Sequence, residues 1–447
     1  MTVRPLPTTP RPYRFPDLVR HRLPNGLGVW LVPLPDRELV SVHLLTDAGA
    51  AAEVETQAGV AGLTAQLLVT GTRKLDAAEF AETTERLGIN VGSESSWDSA
   101  RAGFSALGEH LEAGLDLLVD MLTDPRLDEG EFDRIKAERL NDILQTRAEP
   151  GGLADERFLR ELYADGVPYG RLSAGRPESI EPLTVADVRA FHAERYAPNV
   201  ADVVIAGAFD PDTALAAVEQ RLGGWSGSGP GHRTIEPVQR GGRRIVFVDR
   251  PGSVQSELRV GHLGINRHDP RTFPALVMTA LLGGIFGSRL NLRLREELGY
   301  TYGARCSLDP RRAVGPFIAS AAVQTEVTTD AVRELIGQLD RIREAPPSEQ
   351  ELAEVRNFLV GVFPLRFEST AGIAAAIEPL AVYDLADDWW HAYRSRLEAV
   401  TTDDVHTVAR ELVRPDEALI LVVGDAAKVR DELAGAGLGT LEIGAEA

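Results

Sequence analysis

The sequence predicts an α+β protein built from two homologous domains, each a mostly antiparallel β-sheet packed by helices. Three observations predict it. Matched segments recur at constant spacing in two halves, each match switches from helical to strand patterning, and a Gly/Ser-rich run lies between the halves.

The first matched unit runs from Leu183-Thr184-Val185-Ala186-Asp187-Val188 through Pro198-Asn199 to the strand 203–207. It recurs from Val400-Thr401-Thr402-Asp403-Asp404-Val405 through Pro415-Asp416 to the strand 420–424. Thr184 and Thr401, Val188 and Val405, Pro198 and Pro415, and Gly207 and Gly424 are each 217 positions apart. Each unit reads as a helix capped by Thr and Asp, a turn, and a short apolar strand ending in Gly. A further helix is predicted after each strand, over Pro211–Leu222 and Ala426–Leu433. The second unit pairs Glu85-Arg86-Leu87-Gly88-Ile89-Asn90-Val91-Gly92 with Glu296-Glu297-Leu298-Gly299-Tyr300-Thr301-Tyr302-Gly303, at a spacing of 211. In both, a helix stops at a glycine and an alternating strand begins. Strands follow at Ala100–Ala106 and Pro316–Val323, then amphipathic helices at Glu109–Leu122 and Thr328–Ile342. The run Gly223-Gly224-Trp225-Ser226-Gly227-Ser228-Gly229-Pro230-Gly231 reads as a flexible linker. The expected organisation is a first domain over 1–222, a linker over 223–234 and a second domain over 235–447.

Composition agrees. The 447 residues are 44% hydrophobic and 26% charged, enough for more than one ordinary domain of about 100–200 residues. The formal net charge of −20, from 47 basic and 67 acidic residues, disfavours nucleic acid and anionic membranes. It could attract cationic peptides, but a solvated acidic surface is the simpler reading. Cys306 is the single cysteine, so neither an internal disulfide nor a cysteine-based zinc cluster can form. The Pro/Arg-rich start lacks the apolar core of a secretory signal, and no run approaches the roughly 18 apolar residues of a membrane span. A soluble, cytoplasmic protein is expected.

Of the nine histidines, no two stand three or four apart, so no helix offers a histidine pair on one face. His262 and His268 alone are close, flanking a turn at Asn266-Arg267. The glycines at 283, 284 and 287 lack the strand and lysine context of a phosphate loop, and close helix packing explains them as well. No G-x-S-x-G elbow is present.

The segment Gly59-Val60-Ala61-Gly62-Leu63-Thr64-Ala65-Gln66-Leu67-Leu68-Val69-Thr70-Gly71-Thr72 resembles the G-x-A-H-x-x-E-H-x-x-x-x-G-T helix of pitrilysin/insulinase-type peptidases. Asn25-Gly26-Leu27, Pro168-Tyr169-Gly170, Gly287-Ser288-Arg289-Leu290 and Leu298-Gly299-Tyr300-Thr301-Tyr302 extend the resemblance over nearly the whole chain. In active members the inverted motif H-x-x-E-H holds zinc with two histidines while the Glu activates water. The resemblance places those histidines at Gly62 and Gln66 and the general base at Ala65. A distal carboxylate ligand maps to Asp142, eight residues before Pro150. One short carboxylate cannot hold a catalytic zinc, which needs three protein ligands. No metal is therefore expected in this chain.

The resemblance also implies an Arg and a Tyr that reach from the zinc-free half to bind the substrate backbone, donors suited to a developing oxyanion. Arg293 with Tyr300 and Arg295 with Tyr302 both fit the spacing, the former preferred; Ile89 and Val91 hold the equivalent places in the first half. The implied function is that of a non-catalytic, substrate-binding subunit. It would pair with a homologous zinc-bearing subunit, the two closing like a clam around an unstructured peptide bound by strand addition. Zinc would sit only in the partner. The alternatives are an architectural subunit and a homodimer that binds peptides.

Overall fold

The computed structural model describes residues 12–444. The first half contains β1 (Val19–Arg22), β2 (Gly28–Pro33), β3 (Leu39–Thr46), α1 (Val60–Leu68), α2 (Ala77–Arg86), β4 (Asn90–Ser95) and β5 (Ala100–Leu107). It continues with α3 (Leu111–Thr123), α4 (Glu129–Ala148), α5 (Pro150–Leu162), α6 (Pro177–Ile180), α7 (Val185–Arg195), β6 (Ala201–Gly207) and α8 (Pro211–Leu222). The second half opens with β7 (Arg244–Asp249), β8 (Gln255–Leu263), α9 (Thr272–Thr279), α10 (Arg289–Asn291), β9 (Thr301–Leu308), β10 (Pro316–Gln324) and α11 (Thr328–Glu344). It ends with α12 (Glu349–Val362), α13 (Thr370–Tyr383), α14 (Trp389–Ala399), α15 (Thr402–Leu412), β11 (Leu419–Gly424), α16 (Ala426–Gly435) and β12 (Thr440–Ile443).

Each half forms a six-stranded sheet, ordered β1-β2-β6-β3-β5-β4 and β12-β7-β11-β8-β10-β9. Five positions correspond strand for strand, and the sixth does not. In the first sheet β1 pairs antiparallel with β2, whereas β12 arrives from the other end of the chain and pairs parallel with β7. The matched sequence units occupy matched places. Thr184 caps α7 in a reciprocal box with Asp187, and Thr401 caps α15 in the same box with Asp404. Gly88 and Gly299 take left-handed φ values of 60° and 66°, which lets each helix stop and the next strand turn away.

Each half lends a helix to the other. The face of each sheet that points away from its own helices is apolar, so it needs a cover. On the second sheet that cover is α5, whose Leu153, Ala154, Phe158 and Leu162 pack on Val246, Val248, Leu419, Leu421 and Val423. On the first it is α13, whose Ile373, Ala374, Ile377 and Leu380 join a core with Trp30, Val32, Leu45, Val204 and Ala206. Gly261 of β8 is a glycine for this reason: a Cβ there would lie 2.1 Å from the Phe317 carbonyl oxygen and 3.0 Å from the Phe158 ring.

The hairpin tips of the two halves also meet. Asp98, in the β4–β5 turn and 4% exposed, accepts bonds from the Tyr169 hydroxyl (2.5 Å), the Tyr383 hydroxyl (3.1 Å) and the Arg312 amide (3.0 Å). The Arg311 guanidinium lies over the rings of Trp97 and Tyr169 at 4.3 and 4.9 Å. Pro168-Tyr169-Gly170 is thus a latch between halves.

The Gly/Ser-rich segment has no regular secondary structure, yet it is fastened to the first half. Trp225 is buried in that core, Asn25 Nδ2 donates to the carbonyls of Leu222 and Trp225, and Asn199 bonds both backbone groups of Gly229. The helical stretch Thr272–Glu297 is long and apolar enough to cross a membrane by length and composition, and most of it is buried within the fold.

Candidate functional site

The degenerate motif lies on α1, beside α4. Gly59 begins the helix at φ 101°, and the buried Glu53 carboxylate accepts from the Gly59 and Ala61 amides at 3.0 and 2.9 Å. Along the helix Ala65 is fully buried, while Gly62 and Gln66 are half-buried. Gln66 Oε1 is enclosed without a hydrogen-bond partner, and Asp142 is exposed on α4. Arg139 of α4 places Nη2 3.8 Å from where a Cβ on Gly62 would stand. Among the described residues no three His, Cys, Asp or Glu side chains converge as a metal site. The donors at this place are an amide and one exposed carboxylate, with a guanidinium across the gap, so the residues do not fit zinc.

Burial pushes the Glu53 carboxyl up from 4.5 to about 7, against the lowering effect of its two amide bonds and of Arg171. A carboxyl raised by folding gives stability that is full below about pH 4.5 and is lost as pH rises through about 7. Glu53→Gln keeps an acceptor for the helix amides and removes the ionisation cost, which amounts to about 3 kcal/mol. Melting temperature is therefore expected to fall for the native chain between about pH 5 and pH 8, and to change less for Glu53→Gln.

The four predicted substrate-binding residues share one segment. α10 continues into a π-helical turn, Leu292–Glu297, and leads through Gly299 into β9. Arg293 is committed: it donates twice to Glu334 of α11, both at 2.9 Å, and once to Glu297 at 2.8 Å. These acids hold its guanidinium further above its already high pKa. Arg295 lies 3.3 Å from Glu296 and stacks on the exposed Phe286 ring at 4.6 Å. Tyr300 packs half-buried against the second core. Tyr302 is 90% exposed, where the β9–β10 register shifts between Ala321 and Val323. Among the described residues no hydrogen bond joins either Arg to either Tyr.

The outer edges of the sheets differ. On β9 the Ala304 amide already donates to Asn291 Oδ1 at 2.9 Å, and Gly283 presses so close that a Cβ would lie 2.2 Å from the Cys306 nitrogen. Gly283 thus serves a close backbone approach. Along β4, by contrast, no backbone hydrogen bond beyond β5 is found among the described residues. A groove of about 560 Å³ lies over the sheet face at β4 and β5, walled by α13, and is lined among others by Asn90, Gly92, Gly103, Ala371 and Gly372. Strand addition is therefore open at β4 and obstructed on β9.

Two family models match, one described as "Insulinase (Peptidase family M16)" over residues 29–173 and one as "Peptidase M16 inactive domain" over 182–359. The chain belongs to the M16 peptidase family. Relatives include an "uncharacterized zinc protease" of Streptomyces coelicolor, 25% identical over 438 residues and covering 93% of this chain and 92% of that one. The "non-peptidase homolog YmxG" of Helicobacter pylori is 26% identical over 73% of this chain and 76% of its own. A crystal structure titled as a peptidase M16 inactive domain from Pseudomonas fluorescens superposes with a TM-score of 0.86 at 26% identity, covering 91% of this chain and 98% of that one.

Within M16, this chain is a non-catalytic member, since the metal-binding and general-base side chains are replaced together. The close histidines are structural. His262 is fully buried, donates from Nδ1 to the Leu263 carbonyl and accepts the Arg414 amide on Nε2; burial lowers its pKa to about 4. His268 is exposed. Sequence reasoning missed Arg139, Glu53 and Asp98. Gly62 was the available signal for the first, because a vacated ligand position leaves room for a neighbour.

Proposed function

We propose that this chain is the substrate-binding subunit of a heterodimeric M16 peptidase and takes unstructured peptides by strand addition along β4. The observation that carries the reading is the asymmetry of loss. The first half has lost the metal and base side chains, while the second keeps Arg293 and Tyr300 where the first has Glu82 and Ile89. The open edge of β4 supplies the backbone donors and acceptors that a peptide needs. Arg293 would exchange its bond to Glu334 for the substrate.

The test mixes the purified chain with a homologous M16 chain bearing an intact inverted zinc motif and follows cleavage of an unstructured peptide. Cleavage is expected only in the mixture, with kcat/KM reduced about 10²–10³-fold by Arg293→Ala or Tyr300→Phe. Glu334→Gln weakens the hold on Arg293, which keeps its bond to Glu297, and should leave activity intact. The three bonds of Arg293 to Glu334 and Glu297 favour a second, architectural reading. Equal activity after all four Arg and Tyr residues are replaced would leave only that one.

A further inference from the structure

We propose that the vacated metal position is a receptor for the C-terminal carboxylate of a peptide, held by the Arg139 guanidinium. This rests on the reading above that the chain takes peptides. Arg139 crosses from α4 onto α1, where the absence of a side chain at Gly62 leaves its Nη2 3.8 Å from the missing Cβ. A cation thus stands across the place where zinc-binding relatives would keep another.

Arg139 is uncompensated. Among the described residues it makes no hydrogen bond or ion pair, and it is half-buried rather than free in solvent. The basic neighbours on α4 are already used: Arg134 pairs with Glu131 and Glu138, and Lys136 donates to the carbonyls of Glu181 and Leu183. Glu138 is therefore taken. A guanidinium is a planar fork whose parallel N–H groups match both oxygens of a carboxylate.

Gln66 selects a peptide end over a bare anion. It lies one turn along the same face of α1, with Oε1 enclosed and unbonded, so its amide can turn without breaking a hydrogen bond. The last peptide unit of a chain offers an N–H and a C=O beside the carboxylate. Phosphate or acetate would fill the fork and leave Gln66 unmatched.

The experiment uses the purified full chain alone and measures fluorescence anisotropy of an N-terminally labelled unstructured peptide, in free-acid and C-terminally amidated forms. The free acid is expected to bind about tenfold tighter. Arg139→Gln should abolish that difference, and Asp142→Asn should keep it. Gly62→Leu fills the space from the α1 side and should also abolish it, so the result does not depend on one variant folding. Equal binding of the two peptides, binding of neither, or a preference that survives Arg139→Gln would overturn the proposal. Displacement by phosphate as readily as by an unlabelled free-acid peptide would overturn its assignment to a peptide end. No partner or cleavage enters, so a carboxylate preference without cleavage in the mixture would sink the subunit reading alone. Cleavage in the mixture with no preference would sink this one alone.

Discussion

Replacing Asp98 by Ala is expected to destabilise the chain by about 3–5 kcal/mol, among the largest effects of any single polar substitution in it. The carboxylate is enclosed where the hairpin tips of the two halves meet, and its three bonds come from three separate elements. Removal leaves the Tyr169 hydroxyl buried without an acceptor, and the Arg312 amide and the Tyr383 hydroxyl without their partner. An orphaned polar group that is buried costs about 1–3 kcal/mol, and the fully buried Tyr169 hydroxyl is the clearest such case. Asp98→Asn preserves shape and one acceptor oxygen, so it should cost about 1–2 kcal/mol. Urea unfolding of the native chain and both variants measures this. Equal midpoints for native and Asp98→Ala chains would show that the hub contributes nothing.

Some of this architecture is legible in the sequence and some is not, for a physical reason. Local signals are written in neighbouring residues. The Thr–Asp boxes beginning α7 and α15, the left-handed glycines at 88 and 299, and the strands closing at Gly207 and Gly424 all stand where patterning puts them. The degenerate motif is equally local, because its positions are consecutive turns of one helix. Non-local facts are silent. α13 reads as apolar, yet nothing in Ile373, Ala374 or Ile377 says which sheet it covers. An arginine on a helix is commonplace, and only its nearness to Gly62 gives Arg139 meaning. The Gly/Ser-rich run shows the converse, since its composition signals freedom while Trp225 and the amides of Asn25 and Asn199 hold it.

The exchange of helices predicts that the two halves, though homologous, do not stand alone. Expressed by itself, the segment 1–234 would lack α13, and Trp30, Val32, Leu45, Val204 and Ala206, all now at most 3% exposed, would lose their cover. Burying one such side chain is worth about 1.5–3 kcal/mol, so several together approach the whole stability of a typical domain. In the same fragment α5 would keep Phe158 and Leu162 with no sheet to cover. Aggregation or strong binding of a hydrophobic dye is expected for 1–234, and likewise for 235–447. Co-expression should restore soluble material, because α5 and α13 then find each other's sheets and Asp98 regains Arg312 and Tyr383. A monomeric 1–234 fragment that melts cooperatively near the temperature of the intact chain would refute this. The duplication seen in the sequence would then be a pair of domains, and not the single interlocked unit that the packing describes.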